Sequence, residues 1–332
     1  MKRNKLLTLT VFITFIMILT GCSSNASQNS GNAESAADNY PDKPIEIIVP
    51  WAAGGSSDQT ARALAEAMSA NIDQNVVVVN REGAGGTIAT TEIAQQQPDA
   101  HKILFDAVGV FTTQPHLTEV QYSIDDFKAV SGLTYEPIVL LVKEDSPWET
   151  LDDLVADKAA RITYAHSGAG GLPDLAQASF FDQAGIDAES VAYEGQNPAV
   201  TALLGGHVDT VAAHPGSIMQ HLESGDLRVL GVFSPERYEK LPDVPTFEEK
   251  GFPIDMSVWK FLLVSKETPD NVHKKLVGIV EEALASQQYK EFLETANLDP
   301  QELSGEEVIE KLKSNSAEHG EAIEKMGLSK GE

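Results

Sequence analysis

Residues 45–68 read IEIIVPWAAGGSSDQTARALAEAM, and the order of elements in this stretch decides the fold. Ile45-Glu46-Ile47-Ile48-Val49 is the short apolar run of a buried strand. Pro50 ends it, and Ala52-Ala53-Gly54-Gly55 makes a loop without bulky side chains. Ser56, Ser57 or Asp58 then stands where a helix N-cap is expected, and Ala61, Leu64, Ala65 and Met68 recur at i, i+3, i+4 and i+7. Strand, glycine loop and helix start together aim unpaired backbone N–H groups and the positive end of a helix dipole at one spot, which suits an anion. A glycine pair also serves a plain tight turn. The rest of the chain decides between the two.

The pattern recurs. Residues 76–79 read as a strand, Gly83-Ala84-Gly85-Gly86 as a turn and 87–97 as a helix. Ile88 stands where a dinucleotide fingerprint needs glycine, and no Gly-Lys-Ser/Thr follows, so this turn is assigned to packing. Residues 102–105 and 138–142 are further strands. A second unit begins after Val142, with Thr150 as N-cap and Asp153 three residues on. Strand 161–165 leads into a second small-residue loop, His166-Ser167-Gly168-Ala169-Gly170-Gly171, and a helix with Leu172, Leu175, Ala176 and Ser179 on one face. Two such loops, one per lobe, can hold the two ends of one small anion across a cleft. Strands 191–193, 208–212 and 228–233 follow, with a helix from Pro198 at N1 to Leu204. A proline-punctuated crossing, 234–253, leads to strand 258–264, which returns to the first lobe. Helix 269–286 and a capping box, Ser304 with Glu307, complete the chain. Strands alternating with helices predict α/β lobes with mostly parallel sheets, and ligands at the carboxyl ends of their strands.

The N-terminus is read as targeting rather than fold. Lys2, Arg3 and Lys5 precede an uncharged apolar run, 6–19, shorter than the ~20 residues that span a bilayer and suited to a signal-peptide core. Leu19-Thr20-Gly21-Cys22 resembles a lipobox, which implies cleavage after residue 21 and a lipidated Cys22. Cys22 is the only cysteine, and a lone thiol in an exported protein is otherwise exposed to oxidation. An ordinary signal peptide with an incidental cysteine is the plainer alternative. Residues 22–39 are rich in Ser, Asn, Ala and Gly, the composition of a flexible tether. The remaining body is large enough for two lobes, placed at 40–143 with 259–332, and at 144–258. Acidic residues outnumber basic ones, 50 to 24, which argues against nucleic acid and anionic membrane surfaces as partners. Distant carboxylates are screened beyond a Debye length of about 8 Å, so local dipoles still suffice for an anion.

Several further stretches carry a family likeness: Tyr40-Pro41-Asp42-Lys43-Pro44-Ile45, Val49-Pro50-Trp51-Ala52-Ala53-Gly54-Gly55-Ser56-Ser57-Asp58, Val78-Val79-Asn80-Arg81-Glu82-Gly83-Ala84-Gly85-Gly86, Leu203-Leu204-Gly205-Gly206-His207-Val208-Asp209 and Leu241-Pro242-Asp243-Val244-Pro245-Thr246. In this order, from Tyr40 to the C-terminal helices, the chain resembles the substrate-binding proteins of tripartite tricarboxylate transporters, the Bug family. The resemblance implies a two-lobed periplasmic-binding-protein (type II) fold closing over an organic di- or tricarboxylate in the interlobe cleft. By similarity, Ala53, Gly54, Gly55, Ser56, Ser57 and Asp58 of the first loop, and Ser167, Gly168, Ala169, Gly170 and Gly171 of the second, hold its oxygens. His166 is placed beside them, His214 is either a cleft donor or an exposed bystander, and Trp51 is either a lid or a core aromatic. The same likeness implies a monomer that delivers its ligand to membrane permease subunits from the outer face of the cell membrane, with no cofactor. Ala53 replaces a usual proline, His166-Ser167-Gly168 a usual Ser-Ser-Gly, and Ala213-His214 a usual Asp-Asn, which leaves the ligand's identity open.

Two other functions are weighed. For a secreted enzyme, Ala165-His166-Ser167-Gly168-Ala169 does not match the G-x-S-x-G nucleophile elbow, so no catalytic residue is assigned. His207 and His214 flank a strand without a further ligand at metal spacing, so no metal site is assigned either. Glu194 reads as a solvated loop carboxylate or an acceptor for a ligand ammonium, and Asp209 as a structural cap. A sensory receptor presenting its ligand to a membrane kinase is the remaining alternative.

Overall fold

The computed structural model describes residues 39–330 apart from 52, 97, 99, 158–160, 167–169, 194–195 and 216–217. Strand β1 (Ile45–Val49) is buried except at Glu46, and helix α1 (Ser56–Ser69) buries the Ala61, Leu64, Ala65 and Met68 face. Strand β2 (Val76–Asn80), helix α2 (Thr87–Gln95) and strand β3 (Lys102–Ala107) follow, and β1 pairs in parallel with both β2 and β3. After two short helical turns, strand β4 (Phe127–Glu136) runs to the sheet edge and hands the chain through Pro137 and Ile138 to β5 (Val139–Lys143).

The second sheet is then built from β6 (Ile162–His166), α3 (Leu172–Ala184), β7 (Ala188–Ala192), α4 (Gln196–Leu204), β8 (Thr210–Ala213) and β9 (Leu227–Val232). Strand β10 (Val258–Ser265) returns to the first sheet. Helices α5 (Asp270–Ala285) and α6 (Gln287–Ala296), the short strand β11 (Asp299–Pro300) and α7 (Gly305–Lys325) complete it. The sheet orders are β11-β4-β10-β3-β1-β2 and β7-β6-β8-β5-β9. Both belong to one compact unit, Pro41–Glu332.

Both sheets are mixed, which corrects the expectation of mostly parallel pairing. β10 is antiparallel to β3 and β4, and β5 is antiparallel to β8 and β9. The cause is the crossing itself. A strand that arrives from the other sheet enters at the edge where parallel strands end, and must run against them. For the same reason β5 is a strand of the second sheet, so residues 139–143 leave the first unit to which the expected boundary at 144 assigned them. The long crossing folds back on the short one: Phe233 N–H donates to Ile138 O at 2.8 Å, and Met256 N–H to Phe233 O at 3.2 Å.

The capping boxes at Thr150/Asp153 and Ser304/Glu307 form as the spacing predicts. Helix α4 starts at Gln196 rather than at Pro198, because the Gln196 side chain is held by the His214 backbone and draws the first turn forward. The strand expected at 191–193 lies earlier, at Ala188–Ala192, in register with β6. The apolar core runs through both units: Phe233 stacks on Phe247 at 3.8 Å, and Trp259 Nε1 donates to buried Asn315 at 3.2 Å, fixing α7 to β10. Among the described residues no helix is long and apolar enough to cross a membrane.

Candidate functional site

The two glycine loops follow β1 and β6, the parallel strands whose carboxyl ends face the crossing edge. In the first, Gly54 adopts φ +87°, and Gly55, extended at φ −76° and ψ 169°, is the N-cap. None of the three expected polar residues caps the helix. Instead Asp58, at the third helical position, reaches back so that its Oδ2 accepts the Gly54 N–H at 2.8 Å. The same carboxylate, buried, takes Arg62 Nε at 2.9 Å and Asn80 Nδ2 at 3.0 Å, and Asn80 also donates to Trp51 O at 2.9 Å. The Arg62 hydrogen bond holds the Asp58 carboxyl below its ordinary range, with help from Gly54 and Asn80, against the opposing effect of burial. Since Asp58 is occupied in pinning the loop, the first-turn N–H groups of α1 have no side-chain cap, and Ser56 is exposed beside them.

The second loop is built on the same plan. Gly170 has φ +71°, Gly171 is the N-cap at φ −74° and ψ 159°, and Asp174 Oδ2 accepts the Gly170 N–H at 2.8 Å. Gly54-Gly55-x-x-Asp58 and Gly170-Gly171-x-x-Asp174 are thus one motif used twice. The spacing is legible in the sequence, although Leu172-Pro173 stand in the second copy where Ser56-Ser57 stand in the first. The copies differ in what they present: Pro173 has no N–H, and that of Asp174 is bonded to Gly171 O at 3.0 Å. His166 is buried behind this loop, its Nε2 3.5 Å from Asp174 Oδ1, where Tyr164 also donates at 3.3 Å. Ser167, Gly168, Ala169 and Glu194 lie outside the described residues, as do Cys22 and the rest of 1–38.

Beside the first loop lies a polar cluster that sequence reasoning missed. Lys260, at the cleft end of β10 and buried, donates through Nζ to Ser56 Oγ at 2.8 Å and forms an ion pair with Glu136, the last residue of β4. Burial pushes the Glu136 carboxyl up, but Lys260, His214 and a hydrogen bond from Ser56 outweigh it, and the group is held below its ordinary range. His214 follows β8, its backbone clamped at both ends by Gln196, whose Oε1 accepts His214 N–H at 3.0 Å and whose Nε2 donates to His214 O at 3.3 Å. Its imidazole is hydrogen-bonded to the Pro137 backbone and held below its ordinary pKa by burial, with Lys260 adding to the shift and Glu136 opposing it. His214 is half-buried beside Glu136 and Lys260.

Trp51 is half-buried against the apolar core. His207 is exposed. Asp209 is structural, accepting the Thr163 N–H and hydroxyl at 2.8 Å each. Below the edge, Asp106 is fully buried; burial pushes its carboxyl up to about 8, so it is largely protonated at neutral pH. Its Oδ1 accepts Ala107 N–H at 2.8 Å and its Oδ2 lies 2.8 Å from Thr90 Oγ1, which itself donates to Gly86 O at 3.0 Å. A protonated Asp106 supplies the hydrogen that the shared threonine hydroxyl cannot give twice. Among the described residues no group of three or more His, Cys, Asp or Glu is placed to hold a metal ion. A groove of about 940 Å³ between α5, α6 and β4 lies away from both loops.

Two α/β units joined by crossings at one edge, each offering a glycine-loop helix start there, define a solute-binding protein of the two-lobed periplasmic type. The family model described as "Tripartite tricarboxylate transporter family receptor" (TctC) matches residues 60–328. The chain belongs to this family, whose members are solute-binding receptors. It is 34% identical over 254 residues to a protein encoded in the TAR-I ttuE-ttuC' intergenic region of Agrobacterium vitis, covering 75% of this chain and 73% of that one. Its fold is similar to that of a TctC solute binding protein from Polaromonas, with a TM-score of 0.80, 29% identity, and coverage of 86% and 99% of the two chains. It is also similar to MatC from Rhodopseudomonas palustris with bound malate, with a TM-score of 0.69, 25% identity, and coverage of 86% and 100%.

Proposed function

We propose that this protein is an extracytoplasmic receptor that captures an organic di- or tricarboxylate between the helix starts of α1 and α3 and delivers it to the permease subunits of a tripartite tricarboxylate-type transporter. The observation that carries this reading is the doubled Gly-Gly-x-x-Asp loop. In each copy the aspartate spends itself on its own loop and caps no helix; the start of α1 keeps uncapped first-turn N–H groups, whereas at α3 Pro173 has no N–H and that of Asp174 is bonded to Gly171 O, so α1 offers more of the donors. A carboxylate accepts hydrogen bonds from such N–H groups and complements the helix dipole, each charge-assisted bond contributing about 1.5–3 kcal/mol. The malate held by MatC supports the ligand class. Binding and release require no covalent step. In this reading the protein acts as a monomer, its signal segment 1–21 is removed, and Cys22 carries the lipid that anchors the 22–39 tether at the outer face of the cell membrane.

A thermal-shift screen of the chain from residue 40 onward tests the ligand class. Mono-, di- and tricarboxylates are compared with sugars and phosphate. A ligand at 100 times its Kd stabilises by about 2.7 kcal/mol, a shift of a few degrees. Shifts confined to carboxylates, and lost on Ser56→Ala, are expected; shifts confined to uncharged solutes overturn the reading. Mass spectrometry of the membrane-extracted protein tests the anchor: a diacylglyceryl mass on Cys22 is expected, and an unmodified thiol overturns it.

A further inference from the structure

Lysine is seldom buried unless paired, and this chain buries Lys260, paired with the half-buried Glu136, at the start of α1, where the carboxylate reading places one end of the ligand. An ammonium group only donates hydrogen bonds. Ser56 Oγ, 2.8 Å from Lys260 Nζ, must therefore be the acceptor in that contact. Its single hydroxyl proton is then free only for an acceptor elsewhere, and Glu136, held by the same ammonium group, is the carboxylate beside it. Glu136 is thus an internal carboxylate standing at the α1 start, sharing Lys260 and Ser56 as any incoming carboxylate would have to.

We propose that the Lys260–Glu136 pair is the charge selector of the cleft: Lys260 makes Ser56 an obligate donor toward anions, and Glu136 is the competing carboxylate that a ligand must displace from it. The proposal rests on the carboxylate reading above and goes beyond it by naming which residues set the demand for negative charge. A neutral ligand end has too little to offer the Ser56 proton to draw it from an ionised carboxylate. An anionic end matches Glu136 and gains the uncapped N–H groups of α1 besides. The pair sits where β4 and β10 end at the crossing edge, with His214 of the second sheet beside it, so exchange of Glu136 for the ligand takes place next to the two-residue link between the sheets.

The two members of the pair consequently act in opposite directions, which a merely structural ion pair does not. Titration calorimetry with succinate, malate, adipate and citrate on the parent protein, Lys260→Met, Glu136→Gln and Lys260→Arg provides the test. Loss of one charge-assisted donor weakens carboxylate binding about 10–100-fold in Lys260→Met, and Lys260→Arg restores most of it. Glu136→Gln, which keeps size and hydrogen-bonding capacity while removing the competing charge, tightens binding by about 10-fold. The Lys260→Met/Glu136→Gln double variant, with no buried charge left unpaired, is included in case the single methionine variant does not fold; it is expected to bind more weakly than Glu136→Gln alone. Weaker binding in Glu136→Gln, or unchanged affinity in every variant, overturns the selector while leaving the carboxylate reading intact. A parent protein that binds none of the four acids yet binds an uncharged solute overturns both.

Discussion

Asp58→Asn is the sharpest test of how the first loop is built. The carboxylate is buried and accepts hydrogen bonds from Gly54 N–H at 2.8 Å, Arg62 Nε at 2.9 Å and Asn80 Nδ2 at 3.0 Å. Asparagine keeps the shape but turns one acceptor into a donor, so at least one of these partners meets an N–H group instead of an oxygen. Losing the charge-assisted bond to Gly54 costs about 1.5–3 kcal/mol. The Arg62 ion pair, with the arginine side chain 53% exposed, adds only about 0–1 kcal/mol after solvent screening. The total is about 2–4 kcal/mol. Because the folded-state pKa of Asp58 is depressed, this stabilisation is present above the unfolded carboxyl value near 4 and is lost as pH falls through the lower folded value. Urea titrations at pH 7 and pH 3 should therefore show a gap between parent and variant at pH 7 that shrinks at pH 3. Carboxylate affinity should fall as well, since Gly54 and Gly55 are no longer pinned. A gap below about 0.5 kcal/mol at pH 7, or one equally large at pH 3, refutes the assignment of Asp58 as an ionised loop clamp.

Asp106 should show the opposite pH dependence. Its pKa is raised from 3.8 to about 8, so the contribution of Asp106 to stability is fully present below about pH 4 and is lost as pH rises toward 8, by at most about 5 kcal/mol. Asp106→Asn should match the parent near pH 4 and exceed it near pH 8 in denaturant titrations; destabilisation at both pH values contradicts a protonated Asp106. Asp174→Asn should release Gly170 and cost about 1–3 kcal/mol at pH 7, read as a lower melting temperature. Gly54→Ala and Gly170→Ala both force a side chain into positive φ, costing roughly 1–2 kcal/mol each. An added Cβ at Gly54 meets open space, whereas at Gly170 it lies 3.0 Å from Leu117 Cδ1 of the first unit. Calorimetry should therefore show the greater loss of ligand affinity in Gly170→Ala, and equal losses refute the role of that contact.

Local features were legible because neighbours in the chain set them. The β1–loop–α1 order, the buried Ala61, Leu64, Ala65 and Met68 face, and the capping boxes at Thr150 and Ser304 each depend on residues within one or two turns of one another. The Gly-Gly-x-x-Asp spacing of the second loop is equally local, with Asp174 three residues after Gly171. Strand β4 is not legible in the sequence, because Phe127–Glu136 mixes small, polar and apolar residues with neither a period of two nor a continuous apolar run, even though most of it is buried in the fold.

The tertiary structure settled the rest. Whether β5 pairs with β3 or with β8 depends on which edge the chain reaches when it leaves β4, and that edge is made of strands lying far away in the chain. Lys260 and Glu136 stand 124 positions apart, and Ser56 and Lys260 204 apart. A lysine in a strand reads as a solvent-facing residue until the fold shows its ammonium group buried between a glutamate and a helix start. Hydrogen-bonding periodicity and caps are short-range and can be read along the chain. The burial and pairing of charge depend on which distant strands meet, and they exist only once the sheets have closed on each other.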